Sequence, residues 1–285
     1  MPARGDLEII LVPYEVEKGD TAAARAPSAL VERGFARRLE EGGATVHTSE
    51  VWARHEERAG RAEVVADLGR SLARAVANAR SRGRFPLVLS GGCLAAIGVV
   101  TGLQRMGRDL GLLWIDAHGD FNTPESTPSG YWDGMALAAV CGRSLPEVYK
   151  EVELRPLHYR NVAHLAGRAF DAEEIEDIRR LALTVIPPER LCSDEARGEI
   201  ARCVSGAREI YLHVDLDGVD PRDAPAVNFP VPGGPSLDDL LACLAGLPAP
   251  VAMTLAGLSF ERVDADAARR TVDACVRLVQ SLAAR

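Results

Sequence analysis

The chain has 285 residues, 47% hydrophobic and 26% charged, enough apolar material for a sizeable core, and this excludes disorder over most of its length. With 33 basic against 41 acidic residues the net charge is −8, which together with 5% aromatics argues against a nucleic-acid partner. No run of ~18 consecutive apolar residues occurs, so no membrane span is expected.

The start, Met1-Pro2-Ala3-Arg4-Gly5-Asp6, lacks the basic and apolar regions of a secretory signal, which points to the cytoplasm. Cys93, Cys141, Cys192, Cys203, Cys243 and Cys275 show no CxxC spacing and read as reduced thiols, five of them buried or half-buried packing residues.

In chain order, apolar runs of strand length alternate with longer amphipathic stretches, the pattern of an α/β protein with a mostly parallel sheet. Strands are expected over Leu7–Pro13, Thr45–Val51, Pro86–Ser90, Leu110–Asp116, Leu183–Ile186, Ile210–Asp217 and Val251–Phe260. They are rich in Val, Ile and Leu, as strands covered on both faces are. Helical periodicity lies at Ala23–Glu41, Ala62–Ser81, Leu94–Met106, Gly134–Cys141, Ala172–Ala182, Asp194–Ser205, Leu237–Ala245 and Ala265–Ala284. The Pro- and Gly-rich stretch Asn228–Pro235 reads as a loop. No linker, repeat or low-complexity segment divides the chain, so residues 1–285 are expected to form one domain. Ligands of open parallel sheets sit beyond the carboxyl ends of the strands, and the unusual residues follow Ser90, Ile115, Val214 and Phe260.

The first such segment is Asp116-Ala117-His118-Gly119-Asp120. In extended backbone, residues i, i+2 and i+4 share a face, so two carboxylates and an imidazole converge on one point, a donor set suited to Mn²⁺, Fe²⁺ or Zn²⁺. The plainer reading is a solvated strand end. The second segment, Asp215-Leu216-Asp217-Gly218-Val219-Asp220-Pro221, places Asp215 and Asp217 on one face, where they repel unless a cation lies between them. Asp220 before Pro221 reads as turn chemistry. Together the two strand ends argue for two metals a few Å apart that activate one water. The third, Ser90-Gly91-Gly92-Cys93, turns sharply into a helix and lacks the GKS or GKT of a phosphate loop. Cys93 falls at the helix start, where the dipole favours thiolate.

With these residues in view, the chain resembles the arginase–agmatinase (ureohydrolase) family, whose two signature motifs look like the 116–120 and 215–221 segments. The resemblance implies a three-layer α/β/α fold, a binuclear Mn²⁺ site and hydrolysis of a guanidinium carbon. It carries metal ligation to Asp116, His118, Asp120, Asp215 and Asp217, and the family's sixth ligand, a histidine, is Cys93 here. Asp120 is implied to bond the nucleophile. The 120–130 stretch is similar to the arginase branch, in which the counterparts of Asn122, Thr127 and Ser129 hold the substrate α-carboxylate. Asp171 falls where the α-amino group binds, and Glu261 matches the carboxylate that pairs with guanidinium. The partner implied is therefore a small guanidino amino acid, and the assembly a homo-oligomer.

Two departures shape the expected activity. The family's proton-shuttling histidine aligns with Asp133, whose ordinary pKa near ~3.9 makes it a poor donor at neutrality, against ~6.5 for His. A Cys93 thiolate adds negative charge and weakens the metals' Lewis acidity. A weaker site suits a more reactive substrate, such as Nω-hydroxy-L-arginine. The chain is similar in this to the Cys-ligand subfamily that includes the hydroxyarginine-cleaving enzyme of D-cycloserine biosynthesis. The alternatives are an agmatinase-like hydrolase of another guanidino or formimino compound, and a non-catalytic metal- or arginine-binding relative. His47, His55, His158 and His164 read as surface or helix-packing residues, and His213 as a partner behind the ligands. Arg80, Arg82 and Arg84 read as a solvated helix end.

Overall fold

Period-2 alternation splits the strand residues between two faces. Leu7, Ile9 and Leu11 enter one core while Ile10 and Val12 enter the other, and Leu113 and Ile115 part from Leu112 and Trp114 in the same way. The computed structural model describes residues 5–14, 21–53, 60–107, 109–261 and 263–283. Its eight strands are β1 (Asp6–Val12), β2 (Thr45–Glu50), β3 (Phe85–Ser90), β4 (Leu110–Ile115), β5 (Val162–Leu165), β6 (Thr184–Ile186), β7 (Glu209–Asp215) and β8 (Ala252–Ala256). They form one sheet in the order β2-β1-β3-β8-β7-β4-β5-β6, with every neighbouring pair parallel.

The first core is closed by α1 (Ala22–Glu32), α2 (Phe35–Glu41), α8 (Asp194–Val204), α9 (Leu237–Leu244) and α10 (Ala265–Leu282). The second is closed by α3 (Arg61–Ser81), α4 (Ala95–Gln104), α5 (Ala136–Val140), α6 (Pro146–Glu151) and α7 (Ala172–Leu181). The result is three layers, α/β/α. No helix among the described residues is long and apolar enough to cross a membrane.

Register decides what meets at the carboxyl edge. Ile115 pairs with Val214, Asp215 with Ala256, and Leu89 with Leu255. The ends of β3, β8, β7 and β4 therefore lie side by side at the centre of the sheet, although they are far apart in sequence.

Several expectations are corrected. The helix expected over Ala23–Glu41 is two helices, broken where Gly34 takes a left-handed φ of 86°. β5 and α6 carry too few residues to declare a period. The strand expected through Phe260 stops at Ala256, because Gly257 turns the chain at φ 72°. Arg80 and Arg84 are not simply solvated: they pair with the buried carboxylates of Glu209 and Glu8. His55 lies outside the described residues.

Candidate metal centre

β4 stops at Ile115, and Asp116 turns the chain by accepting a 2.7 Å hydrogen bond on Oδ1 from the His118 amide. Asp120 follows with φ 50°, in the left-handed region that aspartate tolerates better than most residues. Asp116, His118 and Asp120 thus come together because the chain curls around the Asp116 carboxylate, not because it is extended. β7 ends in the same way, with Asp215 Oδ1 accepting from the Asp217 amide at 3.0 Å and residues 216–218 forming a 3₁₀ turn. The two turns are tied together. Asp217 Oδ1 accepts from the Ala117 amide at 3.1 Å, and His118 Nδ1 stands 3.1 Å from Asp217 Oδ2 and 3.6 Å from Asp116 Oδ1.

Cys93 lies in the turn ahead of α4, and its thiol donates to Asp215 Oδ2 at 3.2 Å. The turn is held by Asp133, whose Oδ1 accepts from the Leu94 amide at 2.8 Å. Gly92 has no room for a side chain, because a Cβ there would run into the Asp133 carboxylate. At Gly257 a Cβ would run into the Asp215 carboxylate, on a backbone already in the left-handed region.

These residues form two groups of donors. The ligand atoms of Cys93, Asp116 and Asp215 all lie within 4.8 Å of one another, as do those of Asp116, His118 and Asp217. Asp116 belongs to both groups. Asp120 is buried beside them, and its Oδ2 has no hydrogen-bond partner among the described residues. A buried carboxylate oxygen left without a donor is what a cation satisfies.

Charge makes the same point. Burial and mutual repulsion raise the pKa of Asp116, Asp120, Asp215 and Asp217 above the ordinary carboxylate range. Burial alone would lower that of His118, but its bonds to Asp116 and Asp217 outweigh this and raise it to about 10. Burial, then the charges of Asp120, Asp215, Asp116 and Asp133, push the Cys93 thiol well above its usual range. This corrects the expectation of a thiolate favoured by the helix start: burial, with four carboxylates beside it, outweighs one turn of helix. A donor set this acidic fits divalent cations.

A buried layer supports the turns. The Trp114 indole donates to Asp116 Oδ2 at 3.2 Å and stacks on His213 with ring centroids 3.7 Å apart. His213 in turn meets the Tyr211 hydroxyl through Nδ1 at 3.1 Å. His164, read from the sequence as a surface or helix residue, is fully buried on β5, with Nε2 2.6 Å from the His118 carbonyl. Burial lowers its pKa to about 4, so the neutral ring donates through Nε2.

The donors form part of the lining of a cavity of about 330 Å³, which Asn122, Thr127, Ser129, Asp133 and Asp171 also line. On this wall Asn122 Nδ2 donates to Asp171 Oδ2 at 2.8 Å, and the Thr127 and Ser129 hydroxyls lie 3.3 Å apart. Sequence reasoning missed Glu174, which accepts from the amides of Phe121 and Asp171 and ties the wall to α7. Its signal was present in the Asp-x-x-Glu spacing of a capping box. Also missed were Phe229, half exposed at the mouth and edge-on to both His118 and Tyr131, and Arg168. The Arg168 guanidinium donates to the carbonyls of Asp217, Gly218 and Val231, joining the metal turn to the loop that carries Phe229.

Glu261, expected to face the guanidinium, is elsewhere. Beyond Gly257, Leu258 bridges antiparallel to Val227, and Glu261 emerges beside α1, 48% exposed and paired with Arg25. It lines a separate surface cavity with Arg33 and Phe260. The role carried to it by resemblance is corrected on this ground.

The sheet order and its acidic carboxyl edge define an α/β/α protein whose central strand ends present a candidate two-cation centre. The arginase family model matches residues 5–284. The chain is 34% identical over 245 residues to an arginase of Bacillus caldovelox, spanning 80% of this chain and 81% of that one. It is 31% identical over 249 residues to an arginase of Brevibacillus brevis, with the same coverage. The crystal structure of an arginase from Bacillus cereus matches with a TM-score of 0.85 and 30% identity over 99% of each chain. An agmatine ureohydrolase of Thermoplasma volcanium, at 20% identity and a TM-score of 0.68 over 99% of this chain and 90% of that one, shares the fold alone. The chain belongs to the arginase family, and so to the hydrolases of linear amidine C–N bonds, for which a binuclear manganese centre is the norm.

Proposed function

We propose that residues 1–285 act as one unit that hydrolyses the guanidine C–N bond of L-arginine or of a modified arginine such as Nω-hydroxy-L-arginine. The products are urea or hydroxyurea and an amino acid. The observation that carries this reading is one cavity that joins the two donor groups to a wall of Asn122, Thr127, Ser129 and Asp171.

Cys93, Asp116, Asp120 and Asp215 would hold one divalent cation, and Asp116, His118 and Asp217 the second, with Mn²⁺ the family's usual ion. Bound there, the cations supply the Lewis acidity that makes water a nucleophile at neutral pH. The chain's own residues do the rest. Asp171 pairs with the substrate α-ammonium, and Asn122, Thr127 and Ser129 donate to its α-carboxylate. This fixes the distance from the amino-acid end to the guanidine carbon. The Asp120 carboxylate hydrogen-bonds the attacking water, takes its proton and returns it to the departing amine. Asp133 holds the Cys93 turn through the Leu94 amide, a positioning part that needs no protonated carboxyl.

The position of Glu261 favours the modified substrate. With that carboxylate outside the cavity, a fully cationic guanidinium loses a partner, and a less basic N-hydroxyguanidine loses less. The free cysteines suit a reducing cytoplasm, and the family suggests a homo-oligomer.

The test is product release by Mn²⁺-loaded protein from L-arginine, Nω-hydroxy-L-arginine and agmatine. Hydroxyurea from the second with little urea from the first supports the reading. Urea from L-arginine at a comparable rate makes Cys93 and Asp133 tolerated features of an ordinary arginase. Turnover of agmatine overturns the assignment of the wall, whose α-carboxylate donors would then have nothing to hold.

A further inference from the structure

The two donor groups are chemically unequal. One offers an imidazole and two carboxylates, the other a thiol and two carboxylates, with Asp116 common to both. Nitrogen and oxygen donors suit manganese, whereas thiolate sulfur selects softer cations.

The sulfur is fixed where it can ligate. Cys93 is buried and its Sγ stands 3.2 Å from Asp215 Oδ2. Its turn is pinned from both sides, by Asp133 on the Leu94 amide at 2.8 Å and by the Ser90 hydroxyl on the Gly92 carbonyl at 2.8 Å. Among the described residues it is the one cysteine that lines the cavity. Asp120, with its unpartnered Oδ2, is a further oxygen donor at the same floor.

We infer that the Cys93–Asp116–Asp215 site selects a thiophilic dication such as Zn²⁺, Co²⁺ or Fe²⁺, and that the His118 site is the one left to manganese, giving a mixed-metal centre. This rests on the binuclear reading above. On loading, the S–H bond breaks heterolytically, the electron pair stays on sulfur to form the sulfur–metal bond, and the proton passes to solvent. No oxidant or reductant takes part.

The experiment is a Co²⁺ titration of metal-free full-length protein under reducing conditions, followed by near-ultraviolet absorbance. It is run with Cys192→Ser as the background, to remove the exposed cysteine. Metal analysis follows after loading with one equivalent each of Zn²⁺ and Mn²⁺. The expected result is a sulfur-to-cobalt charge-transfer band that grows with the first equivalent, stops there, and is lost in Cys93→Ser. About one Zn²⁺ and one Mn²⁺ per chain should be retained. Cys93→His keeps a donor at the position should the serine variant fail to fold, and it should also lose the band while its preference for Zn²⁺ over Mn²⁺ at this site falls about tenfold or more.

Two bound Co²⁺ with no sulfur band, or a band that appears only with the second equivalent, overturn the inference and leave the binuclear reading standing. No bound metal of any kind overturns both.

Discussion

The floor and the wall of the cavity are built on opposite principles. The floor gathers carboxylates at strand ends and fixes each by backbone amides, as at Asp116, Asp215 and Asp217, yet leaves their charges facing one another. The wall is satisfied within itself: Asn122 bonds Asp171 and Ser126, while the Thr127 and Ser129 oxygens accept from the amides of Gly130 and Tyr131. A ligand on the wall exchanges one hydrogen bond for another, whereas a cation on the floor relieves a repulsion that His118 and the Cys93 thiol offset only in part, since the carboxylates stay raised beside them. The floor should therefore control whether there is activity, and the wall only which substrate is used.

The largest effect is expected at Asp116, which serves both donor groups. Asp116→Asn should abolish two-metal binding and lower kcat/KM by about 10³-fold or more, since the Lewis acid and the nucleophile go together. Metal analysis beside product assays checks this. A variant that keeps two metals and activity breaks the distinction between floor and wall.

The second effect concerns the metal-free protein. Asp116 and Asp217 are raised to about 6 and Asp215 to about 8, so the folded state holds protons that the unfolded state releases near pH ~4. That stability is fully present below the unfolded carboxylate range and is lost as pH rises through about 6 and about 8. His118, raised to about 10, has the same sign, with stability present below ~6.5 and lost as pH approaches 10. The metal-free chain should thus melt at lower temperature at pH 8 than at pH 5, and added Mn²⁺ should restore the loss at pH 8. A melting temperature that rises over this window would show that the floor is not strained by its own charge.

On the wall, Asn122→Ala should raise KM about tenfold, the loss of one or two hydrogen bonds to substrate, with kcat nearly unchanged. A fall in kcat with KM constant would move Asn122 into the chemistry. The smallest effect belongs to Glu261→Gln. Its pair with Arg25 is half exposed, and such pairs contribute ~0–1 kcal/mol. Activity should stay within about twofold of the parent, and a loss of a hundredfold would return Glu261 to the site.

How much of this was legible in the sequence follows from the same contrast. The floor could be found because its residues crowd into two short segments after apolar runs. Even there the geometry differed: alternation in extended backbone suggested the convergence, while carboxylate-centred turns produce it. Glu261 was misplaced because correspondence along the chain does not register a left-handed turn at Gly257, which redirects everything after it. β5 escaped because four residues cannot display a period, and with it went the role of His164. Arg168 belongs to no motif, since its work is done on carbonyls that any residue could supply.

Two bonds at the floor join residues far apart in the chain. The amide of Ala117 reaches Asp217, 100 positions further along, and the Cys93 thiol reaches Asp215 across 122. Contacts of that span close large loops and come late in folding. A nascent chain that has emerged only as far as Asp120 holds two of the three donors of each group and completes neither. Capture of metal would then require the ends of β3, β4 and β7 to stand together, so a cation would arrive as a seal on an assembled sheet centre rather than as a nucleus for it.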